Sequence, residues 1–203
     1  MGNNHPERIA IINKIIVACC EFRVASLTLN PQLVTHNPQM EDLEQLARHL
    51  GCHDAQVIAV RNIVTAPWVF LKCKYGCPYY NNCLVCPPFS PSLEEMRLIL
   101  RDYNEALLFR ADSSWLIRYL ATELERAFLN RGFVKAFGLG SGPCRLCESC
   151  DTSRPCQHPA QARPSMEATG IDVFSTVRRC GWEGRFVAEK DKSRDFFGLV
   201  LLR

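Results

Sequence analysis

Three cysteines fall within one short stretch of chain, Cys144-x2-Cys147-x2-Cys150, with Cys156 and His158-Pro159 just beyond. Successive x2 spacings let one loop curl around a cubane and offer three sulfurs to three irons. A fourth thiolate then closes the cluster, as in the C-x2-C-x2-C-x3-C-P run of bacterial iron–sulfur proteins. Structural zinc prefers two separated Cys-x-x-Cys knuckles that meet at a tetrahedral ion. The x5 gap before Cys156 departs from the bacterial run. The group therefore points to metal first, and to iron–sulfur ahead of zinc.

Upstream, Cys73-x3-Cys77-x5-Cys83-x2-Cys86 runs directly into Pro87-Pro88 and reads as a second site. Its spacing matches no zinc ribbon and lacks the C-x3-C-x2-C loop of radical enzymes that cleave S-adenosylmethionine. Proline after a ligand cysteine removes a backbone donor and stiffens the loop at a metal. Iron–sulfur again leads, zinc stands second, and simple burial of small apolar thiols is third. Eight of the twelve cysteines falling into two clumps argues against burial alone. The other four, Cys19, Cys20, Cys52 and Cys180, stand apart and are expected in the core, Cys180 being the one whose alternative is a stray ligand.

At 203 residues the chain has the length of one domain with a real core. A net charge of +3, from 24 basic and 21 acidic residues with no basic run, gives a nucleic-acid role little support. The apolar patch Ile9–Cys20 is interrupted by Lys14 and closed by Glu21, so Met1–Ser26 reads as neither signal peptide nor membrane span. Twelve cysteines in a chain of this length fall below the density of a disulfide scaffold. The expected setting is the cytoplasm, where clustered thiols bind metal rather than pair.

The pattern along the chain predicts alternating helices and strands. Residues 6–22 read as an amphipathic helix, and 27–40 as a loop broken by Pro31 and Pro38. A helix at about 40–50 ends on Gly51, and strands follow at Gln56–Arg61 and Trp68–Lys72. Ser92–Tyr103 is helical, capped by Ser90 or Ser92, and Glu105–Arg110 is a buried strand. Ser113–Asn130 is the clearest helix, with Leu116, Leu120, Leu124, Ala127 and Phe128 in one apolar stripe. Phe133–Leu139 is a strand, 165–179 a helix and Phe196–Leu202 a last strand. The expected fold is a single α/β domain over residues 1–203, residues 1–40 forming an amino-terminal helix and loop extension. A central mixed sheet is flanked by helices, and two cysteine-rich metal-binding loops lie between the elements.

A cubane held by four thiolates is a net anion, so neighbouring cations and N–H donors tune it. Lys72 and Lys74 flank the first group, Arg145 and Arg154 lie inside the second, and His158 is expected beside the ligands rather than among them. Gly138, Gly140 and Gly142 lack the Lys-Ser/Thr of a phosphate loop and give the chain freedom beside Cys144. Glu94, Glu95, Glu123 and Glu125 read as solvated helix faces. No Ser-His-Asp or Cys-His-Asn arrangement stands out.

Five motifs occur in order: Lys72-Cys73-x2-Gly76-Cys77; Cys86-Pro87-Pro88-Phe89-Ser90-Pro91; the Cys-x2-Cys-x2-Cys group; Cys156-x-His158-Pro159; and Pro164-Ser165-Met166-Glu167-Ala168-x-Gly170-Ile171-Asp172. From about residue 40 onward the chain resembles a prokaryotic family of "predicted metal-binding proteins", a cysteine-rich domain of unknown function. The resemblance implies metal binding through Cys73, Cys77, Cys86, Cys144, Cys147, Cys150 and Cys156, and it does not insist on Cys83. The leading expectation is a redox accessory protein that holds two [4Fe–4S] clusters on Cys73, Cys77, Cys83, Cys86 and Cys144, Cys147, Cys150, Cys156 and exchanges single electrons with a partner protein. The alternatives are a zinc-stabilised binding module without redox chemistry, and an enzyme in which one cluster keeps an open iron because Cys83 does not ligate.

Overall fold

The computed structural model describes residues 38–183 and 195–203, so the expected helix at 6–22 lies outside the described residues. Within them, helix α1 (Pro38–His49) leads to strand β1 (Asp54–Ala59), with Gly51 turning the chain at φ 109°. Helix α2 (Trp68–Gly76), a loop of tight turns and helix α3 (Leu93–Arg101) precede strand β2 (Glu105–Ala111). Helix α4 (Ser114–Leu129), strand β3 (Phe137–Leu139), helix α5 (Val173–Arg179) and strand β4 (Phe196–Leu201) complete the order.

The strands stand in the order β1-β2-β4-β3, and every neighbouring pair is antiparallel. The α/β architecture with a central sheet is as expected; the sheet is antiparallel rather than mixed. The reason lies in β4. Strands β2 and β3, joined through α4, run in the same direction, but the last strand slots between them and pairs with both. A helical crossover produces a parallel pair only when its two strands become neighbours.

Alternation along β2 divides the core. Leu107 and Phe109 face a cluster with Leu43 and Ala47 of α1 and Ile117, Leu120, Leu124 and Phe128 of α4. Ala106 and Leu108 face the other side, where Met96 of α3, Val177 of α5, Met166 and Ile171 pack. Helices thus cover both faces. Ser113 caps α4, its hydroxyl accepting from the Leu116 N–H at 3.1 Å.

Two expected elements change. Trp68–Lys72 is the start of a helix, not a strand, and it continues to Gly76. Its apolar run lies mostly in the open, with Val69 buried and Trp68, Leu71 and Tyr75 exposed. The helix at 165–179 is instead a 3-10 turn at Glu167–Thr169 and α5, separated by Gly170 at φ 79°. A side chain at Gly170 would strike Phe70 Cε2 at 2.7 Å and Leu93 Cδ1 at 2.9 Å, so glycine holds this break on two counts.

Candidate metal centre

The first cysteine group begins on a helix rather than in a loop. Cys73 and Cys77 are four residues apart, with Cys73 in the last turn of α2 and Cys77 as its C-cap, a spacing that sets side chains on one helix face. Beyond Cys77 the chain folds through short turns. The Tyr80 N–H donates to Cys77 O at 3.2 Å, Cys86 N–H to Cys83 O at 2.9 Å, and Phe89 and Ser90 N–H to Cys86 O at 2.9 and 3.1 Å. These bonds bury Cys83 and Cys86 at the floor of the loop.

Cys83 does not stay with its neighbours in sequence. Its sulfur interacts electrostatically with Cys144 of the second group as well as with Cys86. It also shares one pocket with Cys144, Cys147, Cys150, Cys156 and His158. The Leu84 N–H donates to Cys150 Sγ at 3.5 Å, a further tie across the two loops. Cys73 and Cys77 line a different cleft, of about 520 Å³, and act electrostatically on Cys86. The eight cysteines therefore regroup as three and five, with Cys83 at the join.

Thiol electrostatics follow that geometry. Hydrogen bonds from Cys144 and then Cys86 pull the Cys83 thiol far below its usual range. Those same bonds, with burial, push Cys86 and Cys144 up. In such a coupled set one sulfur ionises readily and the others hold their protons. At Cys150 the Leu84 N–H favours the thiolate, but burial and the nearby Cys83 and Cys147 outweigh it, and the net direction is up. Burial, then Cys77 and Glu167, raise Cys73.

The second loop is held from outside. Glu125 of α4 is buried and takes a two-pronged ion pair from Arg163, Nε to Oε2 and Nη2 to Oε1, both at 2.6 Å. Glu125 also accepts from the Gly138 N–H at 2.7 Å. This carboxylate was expected on a solvated face; it is instead the post to which the 142–163 loop is tied. Gly140 and Met166 exchange backbone bonds with the 164–166 segment, Gly140 N–H to Pro164 O at 2.8 Å and Met166 N–H to Gly140 O at 3.0 Å. A Cβ at Gly138 would come within 2.4 Å of Ala121 O, so that glycine serves close packing of β3 on α4.

Of the expected tuning residues, Arg145 stacks over Tyr79 at 5.8 Å beside Cys144, and Lys72 lines the cleft of Cys73 and Cys77. Arg154 pairs with Asp151 in solvent, and Lys74 lies over the Tyr75 ring. His158 contributes through its backbone, the N–H donating to Cys156 Sγ at 3.4 Å. Arg118, which the sequence did not single out, donates to Ser141 O at 3.2 Å and lines one pocket with Cys144 and Arg145. Its signal was the i, i+4 step from Ser114, whose hydroxyl it also meets at 3.3 Å. Cys52 is buried as expected, and Cys180 packs half-buried against the core. Cys19 and Cys20 lie outside the described residues.

All ten described cysteines are free thiols. Among the described residues, no three His, Cys, Asp or Glu side chains form a ready ion-binding group. The donor set nonetheless suits a thiophilic metal: eight free thiols around two neighbouring clefts, with backbone N–H groups donating to the sulfurs of Cys150 and Cys156. Residues 56–202 match the family described as "Predicted metal-binding protein (DUF2284)", and the chain belongs to that family, a domain of unknown function. No curated protein and no solved structure matches the chain. Among the described residues, no helix is long and apolar enough to cross a membrane.

Proposed function

We propose that this metal-binding protein carries two iron–sulfur centres and passes single electrons to a redox partner. The carrying observation is that Cys83 lines one pocket with Cys144, Cys147, Cys150 and Cys156 while the neighbouring Leu84 N–H donates to Cys150 Sγ, so the two cysteine groups meet. A pair of centres in such an array suits electron passage between them better than structural zinc, for which one tetrahedral knuckle would hold each loop. The five-thiol group on Cys83, Cys144, Cys147, Cys150 and Cys156 supplies four ligands with one to spare, and Cys73, Cys77 and Cys86 supply three. An iron–sulfur cluster brings one-electron chemistry. The chain contributes the rest: Arg118 and Arg145 offset its negative charge, and the Leu84 and His158 N–H groups hold sulfur. Free thiols throughout the described residues fit a reducing compartment such as the cytoplasm.

Anaerobically purified protein is expected to be brown, to bleach with dithionite, and to carry about eight iron and eight sulfide per chain if both centres are cubanes. Cys147→Ser should lower both, by up to half, because it removes the central thiol of the x2 run and leaves the five-thiol group no ligand to spare. A reproducible complement of zinc without sulfide rejects the iron–sulfur reading and leaves a zinc-stabilised module in its place.

A further inference from the structure

Glu167 presents the least satisfied charge near the cysteine array. Its Oε2 is buried and has no hydrogen-bond partner among the described residues, and no cation pairs with it there. The other side of the carboxylate meets the Ser165 hydroxyl. A carboxyl oxygen left without a partner in this way is completed either by a proton or by a positive group.

Its surroundings hold the first thiols of the cysteine array. The 3-10 turn that carries Glu167 packs on α2, the helix that carries Cys73. Glu167, Cys73 and Cys77 line the same 520 Å³ cleft. The turn is fixed in place: the Ser90 hydroxyl donates to Ala168 O at 2.6 Å, the Ala168 N–H donates to Ser165 Oγ at 3.1 Å, and Gly170 closes the turn against Phe70. Ser90 follows Cys86 by four residues, so the loop that carries the third thiol is tied to the turn that carries the carboxylate. With Cys83 turned toward Cys144, Cys73, Cys77 and Cys86 are one donor short of a closed four-ligand site.

We propose that Glu167 is that fourth donor, an oxygen ligand completing the metal centre of Cys73, Cys77 and Cys86 on its cleft side. This rests on the chain holding metal at the first group, whichever metal it is. A carboxylate oxygen is a harder donor than thiolate and binds a thiophilic ion less tightly. A metal held there would be the more exchangeable one.

The test compares wild type with Glu167→Gln and Glu167→Cys as full chains, each purified anaerobically. Metal and sulfide per chain are counted, release of metal to EDTA is timed, and absorption and EPR spectra are recorded. Glu167→Gln should lose one metal equivalent per chain or release it at least tenfold faster, and Glu167→Cys should restore the count with a shifted spectrum. A Glu167→Gln protein with wild-type count, release rate and spectrum overturns the proposal. If the glutamine variant fails to fold, Glu167→Cys decides: full metal with an unchanged spectrum also overturns it. Absence of sulfide from wild type would reject the iron–sulfur reading alone, since metal count and release rate test Glu167 for any metal.

Discussion

Strand β2 and the loop at 142–163 are built on opposite terms. From Ala106 to Phe109 every residue is fully buried, with helices packed on both faces. From Gly142 to Arg163 not one residue is buried, and no helix or strand forms. The first region is ordered by apolar area, which any reader of the sequence can see in Ala-Leu-Leu-Phe. The second has no apolar interior; what fixes it is the Glu125–Arg163 clasp, the Cys83–Cys144 contact and, on the proposed function, metal. Loops of this length keep one shape inside a compact domain only when something organises them.

Metal removal gives the widest test of that contrast. Apo protein should lose hydrogen-exchange protection across 142–163, while β2 and β4 keep theirs, because burial holds the sheet and ligation holds the loop. The 77–90 loop should fall between the two, since Cys83, Cys86 and Ser90 are buried and turn bonds remain. Equal protection in 142–163 with and without metal would show that the clasp alone suffices.

Breaking the clasp should have the next largest effect. Arg163→Met leaves the buried Glu125 carboxylate with only the Gly138 N–H, and removal of one partner from a buried ion pair costs about 3 kcal/mol. Chemical denaturation should report that loss, and metal content should fall with it, because Arg163 ties the loop to α4. Adding Glu125→Leu to Arg163→Met should recover part of the stability, as no unpaired charge is then buried. If metal content stays whole while stability falls, the loop is held by its ligands and the clasp serves only the core.

The same contrast explains what the sequence made legible. Buried strands and amphipathic helices were readable in β2, α3 and α4 because apolar periodicity is itself the cause of those elements. Trp68–Lys72 misled for that reason: its apolar residues imitate a strand, yet the helix buries little beyond Val69 and instead sets Cys73 and Cys77 four residues apart. The x3 gap between those cysteines was the available sign. The cysteine clumps were visible, but their partition in space was not, since Cys83 meets Cys144 through tertiary folding rather than spacing. The burial of Glu125 and the enclosed Oε2 of Glu167 were invisible because charge on a helix or turn reads as solvent-facing until its packing is known.

The smallest effect should come from the side of the core remote from the clasp. Ser92 caps α3 in a reciprocal box: its hydroxyl accepts from the Glu95 N–H at 3.2 Å, and the Glu95 carboxylate accepts from the Ser92 N–H at 2.8 Å. Ser92→Ala should cost about 1 kcal/mol in denaturation and leave metal content unchanged. The Ser92 N–H, then its hydroxyl, hold the Glu95 carboxyl below the usual glutamate range. A carboxyl whose folded pKa is lowered contributes stability above its unfolded pKa and loses it as pH falls through the folded value. Glu95→Gln should therefore differ from wild type at neutral pH, and the difference should close in acid. Should Ser92→Ala release metal, α3 would be coupled to the cysteine array through the short Cys86–Ser92 link, and core and metal centre would be one cooperative unit rather than two.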